Sequence, residues 1–145
     1  MIQAEAVYHG VDFSGAKRHR NKIWVATRRD AESATTCNGF SHRGVVDLIR
    51  SSAKDGRVHC WLVDAPFNLP IAQLDAHGIA SDWRATLDWM ASFSDARDWR
   101  RACRKVSRIE HRRAIDRRVH TPFSPVNLRM FKQTWHWMVL SLIHI

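Results

Sequence analysis

The run Val-His-Cys-Trp-Leu-Val-Asp at residues 58–64 limits the possible folds more than any other stretch of the chain. It is seven residues long, almost wholly apolar and stopped by Ala65-Pro66, which predicts an interior strand covered on both faces. A second run, Ala-Val-Tyr-His-Gly-Val-Asp-Phe at residues 6–13, is closed by the turn signal Ser14-Gly15. Each run ends in an acid, Asp12 and Asp64. Strand alternation puts Tyr8, Gly10 and Asp12 on one face of the first, and Val58, Cys60, Leu62 and Asp64 on one face of the other.

Residues 22–29 read as a strand with Ile23, Val25 and Thr27 on one side, joined to the first by the basic tip Lys17 to Asn21 as a hairpin. A weaker strand is expected around Ala34–Phe40. Ser41 is expected to cap a helix from His42 to Lys54 that buries Val45, Leu48, Ile49 and Ala53 and stops at Gly56. After Pro70 the pattern turns helical. Asp82 caps a helix carrying Trp83, Leu87 and Met90, and an Arg-rich segment follows. Pro125 is placed to open a last helix on which Leu128, Phe131, Trp135 and Met138 recur. The order β-β-β-α-β, then helices, predicts an α/β fold.

The chain has 145 residues, enough for one domain with a real core, and seven Trp argue for a folded globule. No signal peptide is visible at the N-terminus, and the apolar stretch from Trp135 to Ile145 is too short to span a bilayer, so no membrane partner is expected. Three widely spaced Cys without a CxxC suit a reducing cytoplasm and supply neither disulfides nor a zinc site. The nine His show no ligand spacing such as HExxH.

If the strands ending in Asp12 and Asp64 are parallel neighbours, both carboxylates emerge at the sheet edge where ligands of open α/β sheets bind. Two close carboxylates repel unless a cation lies between them. Hard oxygen ligands with open positions suit Mg²⁺ or Mn²⁺, and two ions about 3.5–4 Å apart would contact both the attacking and the leaving oxygen of a phosphodiester. Turn chemistry explains either Asp alone equally well, because its side chain can bond nearby backbone N–H groups. The formal charge of +9 is concentrated in Arg97–Arg118, where nine Arg and Lys105 face Asp98, Glu110 and Asp116. Such a stretch suits a nucleic-acid backbone, and Arg104, Arg108, Arg112, Arg113 and Arg117 are the expected contacts. A solvated helix face is the alternative.

Gly10-Val11-Asp12-Phe13-Ser14-Gly15-Ala16, Trp24, and Val63-Asp64-Ala65-Pro66-Phe67-Asn68-Leu69-Pro70 resemble the domain-of-unknown-function family 429. So does the tail His120 to Arg129, with Gln133-Thr134; the similarity runs from about residue 7 to 138. The resemblance implies an RNase H-like fold and nuclease activity, with Asp12 and Asp64 as the first two acidic positions, catalytic and metal-holding. Asp47 and Asp55 are the only acids offered near the first helix, and neither sits in a recognisable motif. Asp116 looks like part of a family block and is expected to contact substrate or to serve structure. No fifth strand or late helix follows before Ile145, so residues 1–139 are expected to be a partial domain, inactive as a nuclease. Residues 140–145 can be encoded by CTGTCTCTTATACACATC, which resembles a transposase-end sequencing adapter; they are expected to be non-native. The competing expectations are a non-catalytic nucleic-acid-binding module and, last, an actin- or sugar-kinase-like domain, for which no second phosphate loop is visible.

Overall fold

The computed structural model describes residues 6–13, 22–29, 35–121 and 123–142. It divides into two compact units, Met1–Ala65 and Pro66–Ile145.

Among the described residues, the first unit is a four-stranded mixed sheet with one helix. Its strands are β1 (Ala6–Asp12), β2 (Ile23–Arg28), β3 (Thr36–Phe40) and β4 (Val58–Asp64), and helix α1 (His42–Ser52) lies between β3 and β4 in sequence. The sheet order is β3-β2-β1-β4. β1 and β2 are antiparallel, as are β2 and β3, whereas β1 and β4 are parallel. The parallel pairing needs a crossover, which β3 and α1 lie within. The hairpin is therefore present as expected; its tip, residues 17–21, lies outside the described residues.

Alternation in β1 buries Val7, His9 and Val11 and exposes Tyr8, Gly10 and Asp12. Ile23 and Val25 of β2 and Val45 and Val46 of α1 complete the covered side. His42 stacks on Phe13 with ring centroids 5.0 Å apart, which anchors the start of α1 over that face. Ser41 caps the helix as expected, accepting from the Gly44 N–H at 3.1 Å. The helix ends at Ser52 rather than Lys54. Its buried stripe turns toward Val46, with Leu48 and Ile49 half-buried and Ala53 exposed. Gly56, at φ 76°, makes the left-handed turn into β4 that a residue with a Cβ adopts at a cost.

One expectation is corrected here. β4 is an edge strand of the described sheet and is covered on one face only: His59, Trp61 and Val63 are half-buried, while Leu62 on the other side is 67 % exposed. An apolar run does not distinguish an interior strand from one whose second apolar face is left open.

The second unit is helical: α2 (Ile71–Asp75), α3 (Trp83–Ala91), α4 (Ala96–Val106), α5 (Ala114–Arg118) and α6 (Phe131–Leu142). Asp82 caps α3 as the sequence indicates, and Asp95 caps α4 by accepting from the N–H groups of Arg97 and Asp98. The core joins Leu69, Leu74, Leu87, Met90, Trp99, Cys103, Val126, Phe131 and Met138. Burial pushes the Cys103 thiol up to about 12, so it stays protonated and behaves as a small apolar residue. Pro125 does not open the last helix. It sits in a turn whose Asn127 side chain accepts from the Arg129 N–H at 2.9 Å, and α6 starts six residues later. Leu128 consequently falls outside the helix and is exposed.

Candidate functional site

β1 and β4 run side by side in the same direction, with Asp12 directly opposite Asp64. In-register residues on parallel neighbours point to the same face, and adjacent strands lie about 4.8 Å apart. Both side chains are on the exposed face, as alternation indicates. Asp12 also pairs with Trp24 across the antiparallel ladder, and Trp24 is about half exposed. The two acids and Trp24 line an open concavity of about 750 Å³ with Gly10, Ala26, Cys37 and Leu62. The described residues that line it include no Lys or Arg. Two carboxylates opposite one another in a parallel ladder are a setting in which a bound metal ion is favoured.

Neither Asp47 nor Asp55, the other described acids of the first unit, joins them. Asp47 is exposed on α1, 3.9 Å from Arg43. Asp55 precedes β4 and so lies at the opposite end of the strand pair, bonded to Arg57 and His59. Among the described residues no group of three or more His, Cys, Asp or Glu is placed to hold a metal. The expected pair is thus brought together, and among the described residues no third or fourth acid joins it.

The five arginines proposed as backbone contacts divide into two sets. Arg113 is committed to structure: its Nε and Nη2 donate to the two carboxylate oxygens of Asp116, at 2.9 and 2.5 Å, and Nη1 donates to Asn68 Oδ1 at 3.2 Å. Arg104 Nη1 donates to the Arg108 carbonyl at 2.6 Å and lies 3.7 Å from Glu110. Arg108, Arg112 and Arg117 are exposed. Asp116 is 1 % exposed, and its Oδ2 also accepts the Arg113 N–H at 3.0 Å. Burial favours its neutral form, but the Arg113 bonds prevail and hold the carboxyl below the usual range. Of the two roles expected for Asp116, this geometry fits the structural one.

No family model, curated protein or solved structure matches the chain. No described helix is long and apolar enough to cross a membrane.

Sequence reasoning missed a polar chain on the covered face of the sheet. His9 Nδ1 lies 3.0 Å from Thr27 Oγ1, His9 Nε2 lies 2.9 Å from His59 Nδ1, and His59 Nε2 lies 2.9 Å from Asp55 Oδ1. The signal was available: His9 and His59 interrupt apolar strands at positions that alternation turns inward.

Proposed function

We propose that the chain is a metal-dependent hydrolase of nucleic-acid phosphodiesters with an RNase H-like fold, akin to the domain-of-unknown-function family 429 and working in the cytoplasm. The observation that carries this reading is the in-register pairing of Asp12 with Asp64 on parallel strands. The β-β-β-α-β order and the mixed sheet support the fold assignment, and three free thiols suit a reducing compartment.

The donor set fits one Mg²⁺ or Mn²⁺: two hard carboxylates on a solvent-facing edge, with room for the waters that Mg²⁺ retains. Bound there, the ion would polarise a phosphodiester and acidify a water. Asp12 and Asp64 would hold the ion by their carboxylates, and the rigid parallel ladder fixes their spacing. Trp24, next to Asp12, offers a ring face to a sugar or base. Two ions need further acids that the described residues do not supply, so turnover is expected to be slow.

A second reading, a nucleic-acid-binding module without catalysis, fits a site at which the described residues supply only two acids. Incubation with labelled single- and double-stranded DNA and RNA, with Mg²⁺ or with chelator, separates the two. Metal-dependent products support the hydrolase; stoichiometric binding without products supports the module.

The arginine geometry fixes an expected salt dependence. With Arg108, Arg112 and Arg117 contacting about 3 phosphates, affinity should fall about 40-fold between 50 and 200 mM salt. Charge reversal at Arg112 and Arg117 should weaken binding to all sequences alike. A flat salt titration would return the segment to a solvated helix face.

A further inference from the structure

The chain Thr27–His9–His59–Asp55 has its proton positions fixed from one end. Asp55 Oδ1 accepts the Arg57 N–H at 3.0 Å, and Oδ2 takes the Arg57 guanidinium at 2.6 Å. These bonds hold the Asp55 carboxyl far below the usual carboxylate range, so it remains an acceptor at every ordinary pH. His59 must therefore donate from Nε2, which leaves Nδ1 of the neutral ring as an acceptor. His9 then donates from Nε2, its Nδ1 accepts, and the Thr27 hydroxyl donates to it. All three bonds point toward Asp55, and both imidazoles are neutral. The rings of His9 and His59 are nearly parallel, and Trp61 stacks on His9 at 3.8 Å between centroids, which restrains reorientation.

The same geometry accommodates one further proton. Placed on His59 Nδ1, it makes His59 cationic beside the Asp55 carboxylate and turns it into a donor toward His9. His9 remains neutral by moving its own hydrogen from Nε2 to Nδ1, and the Thr27 oxygen becomes the acceptor. Every bond survives and the direction of two of them reverses. A second proton would set N–H groups on His9 Nε2 and His59 Nδ1 against each other across 2.9 Å.

We propose that these four side chains form a one-proton store that works by reversing its hydrogen bonds, and that a second proton opens it. The store ties the start of the edge strand β4 to β1 and β2, so its opening releases that end of the sheet. The charges acting on His9 are His59 and Arg57, which oppose its protonation, and Asp55, which favours it. Arg43, Asp47 and Arg50 of α1 are exposed and do not contribute. Burial is the largest influence, and together these hold His9 below its ordinary value of 6.5. Since the unfolded chain binds that proton more readily, stability on this account is complete above about pH 6.5 and falls as pH drops through the folded value of His9.

The test is nitrogen-15 NMR of the full chain labelled at histidine, from pH 8 to pH 5, with His59→Gln used for assignment. At pH 8 both rings should carry hydrogen on Nε2. On acidification His59 should become cationic while His9 stays neutral and transfers its hydrogen to Nδ1. A His9 that becomes cationic first, or that keeps Nε2–H throughout, overturns the proposal. Asp55→Asn should lower the midpoint of proton uptake, because an adjacent opposite charge is removed. An unchanged midpoint also overturns it, and the wild-type spectra decide if that variant does not fold.

Discussion

Asp116→Ala is expected to lower folding stability by about 3 kcal/mol, near the lower end of the range for removing one partner of a buried ion pair. Asp116 is 1 % exposed and takes three bonds from Arg113 alone. Two of these come from the guanidinium and one from the Arg113 N–H at the start of α5, so the substitution removes a helix cap as well as a charge partner. Arg113 retains a 20 % exposed side chain, which lets water solvate part of the stranded guanidinium and keeps the loss below the upper end. Asp116→Asn should be nearly as harmful, because its N–H₂ group would face the guanidinium. The pair also sets an acid limit. Asp116 titrates below its unfolded value, so its contribution is present above about pH 3.8 and is lost as pH falls through the folded value. Urea unfolding of the full chain at pH 7 checks the figure. A loss under about 1 kcal/mol would mean that Arg113 finds another acceptor, and the structural role assigned to Asp116 would be withdrawn.

The first unit was legible because its strands obey a period of two. Val7 and Val11 alternate with Tyr8 and Asp12, and that alone put both acids on one face. What alternation cannot report is whether the opposite face is covered. Leu62 and Val58 are as apolar as a buried pair, and only the finished structure leaves them in the open. The Arg-rich stretch misled in another way. Its composition marks a polyanion surface, yet Arg113 and Arg104 are held by an acid three residues later and a carbonyl four residues later, partners that a charge count does not connect to them. Pro125 shows a local rule outweighed by its surroundings. Pro is well suited to open a helix, but Thr134 donates to its carbonyl at 2.8 Å and Ser124 donates to the His111 carbonyl at 2.5 Å, which fold the segment into a buried turn first.

Asp12→Asn and Asp64→Asn should separate a metal pair from two turn aspartates, because the two explanations give different responses of stability to Mg²⁺. If the acids only satisfy turn N–H groups, Asn does the same work, and each variant should match the wild type with or without Mg²⁺. If they form a pair, each Asn relieves repulsion between carboxylates opposite one another in the ladder, so the metal-free variants should be equal to the wild type or more stable. Mg²⁺ should then raise the wild-type stability by binding the native state alone. For a loose two-carboxylate site with a Kd of about 1 mM, 10 mM ion contributes about 1.4 kcal/mol, a rise that either substitution should remove. Any metal-dependent cleavage should fall by at least about 10²-fold in each variant, since losing even a group that orients a metal ligand costs 10- to 100-fold. Thermal unfolding at several Mg²⁺ concentrations and a cleavage time course on the same preparations read both effects. Equal stabilisation of wild type and variants by Mg²⁺ would place the ion elsewhere. Cleavage that survives both substitutions would remove Asp12 and Asp64 from the reaction, leaving the pairing as a feature of the fold alone.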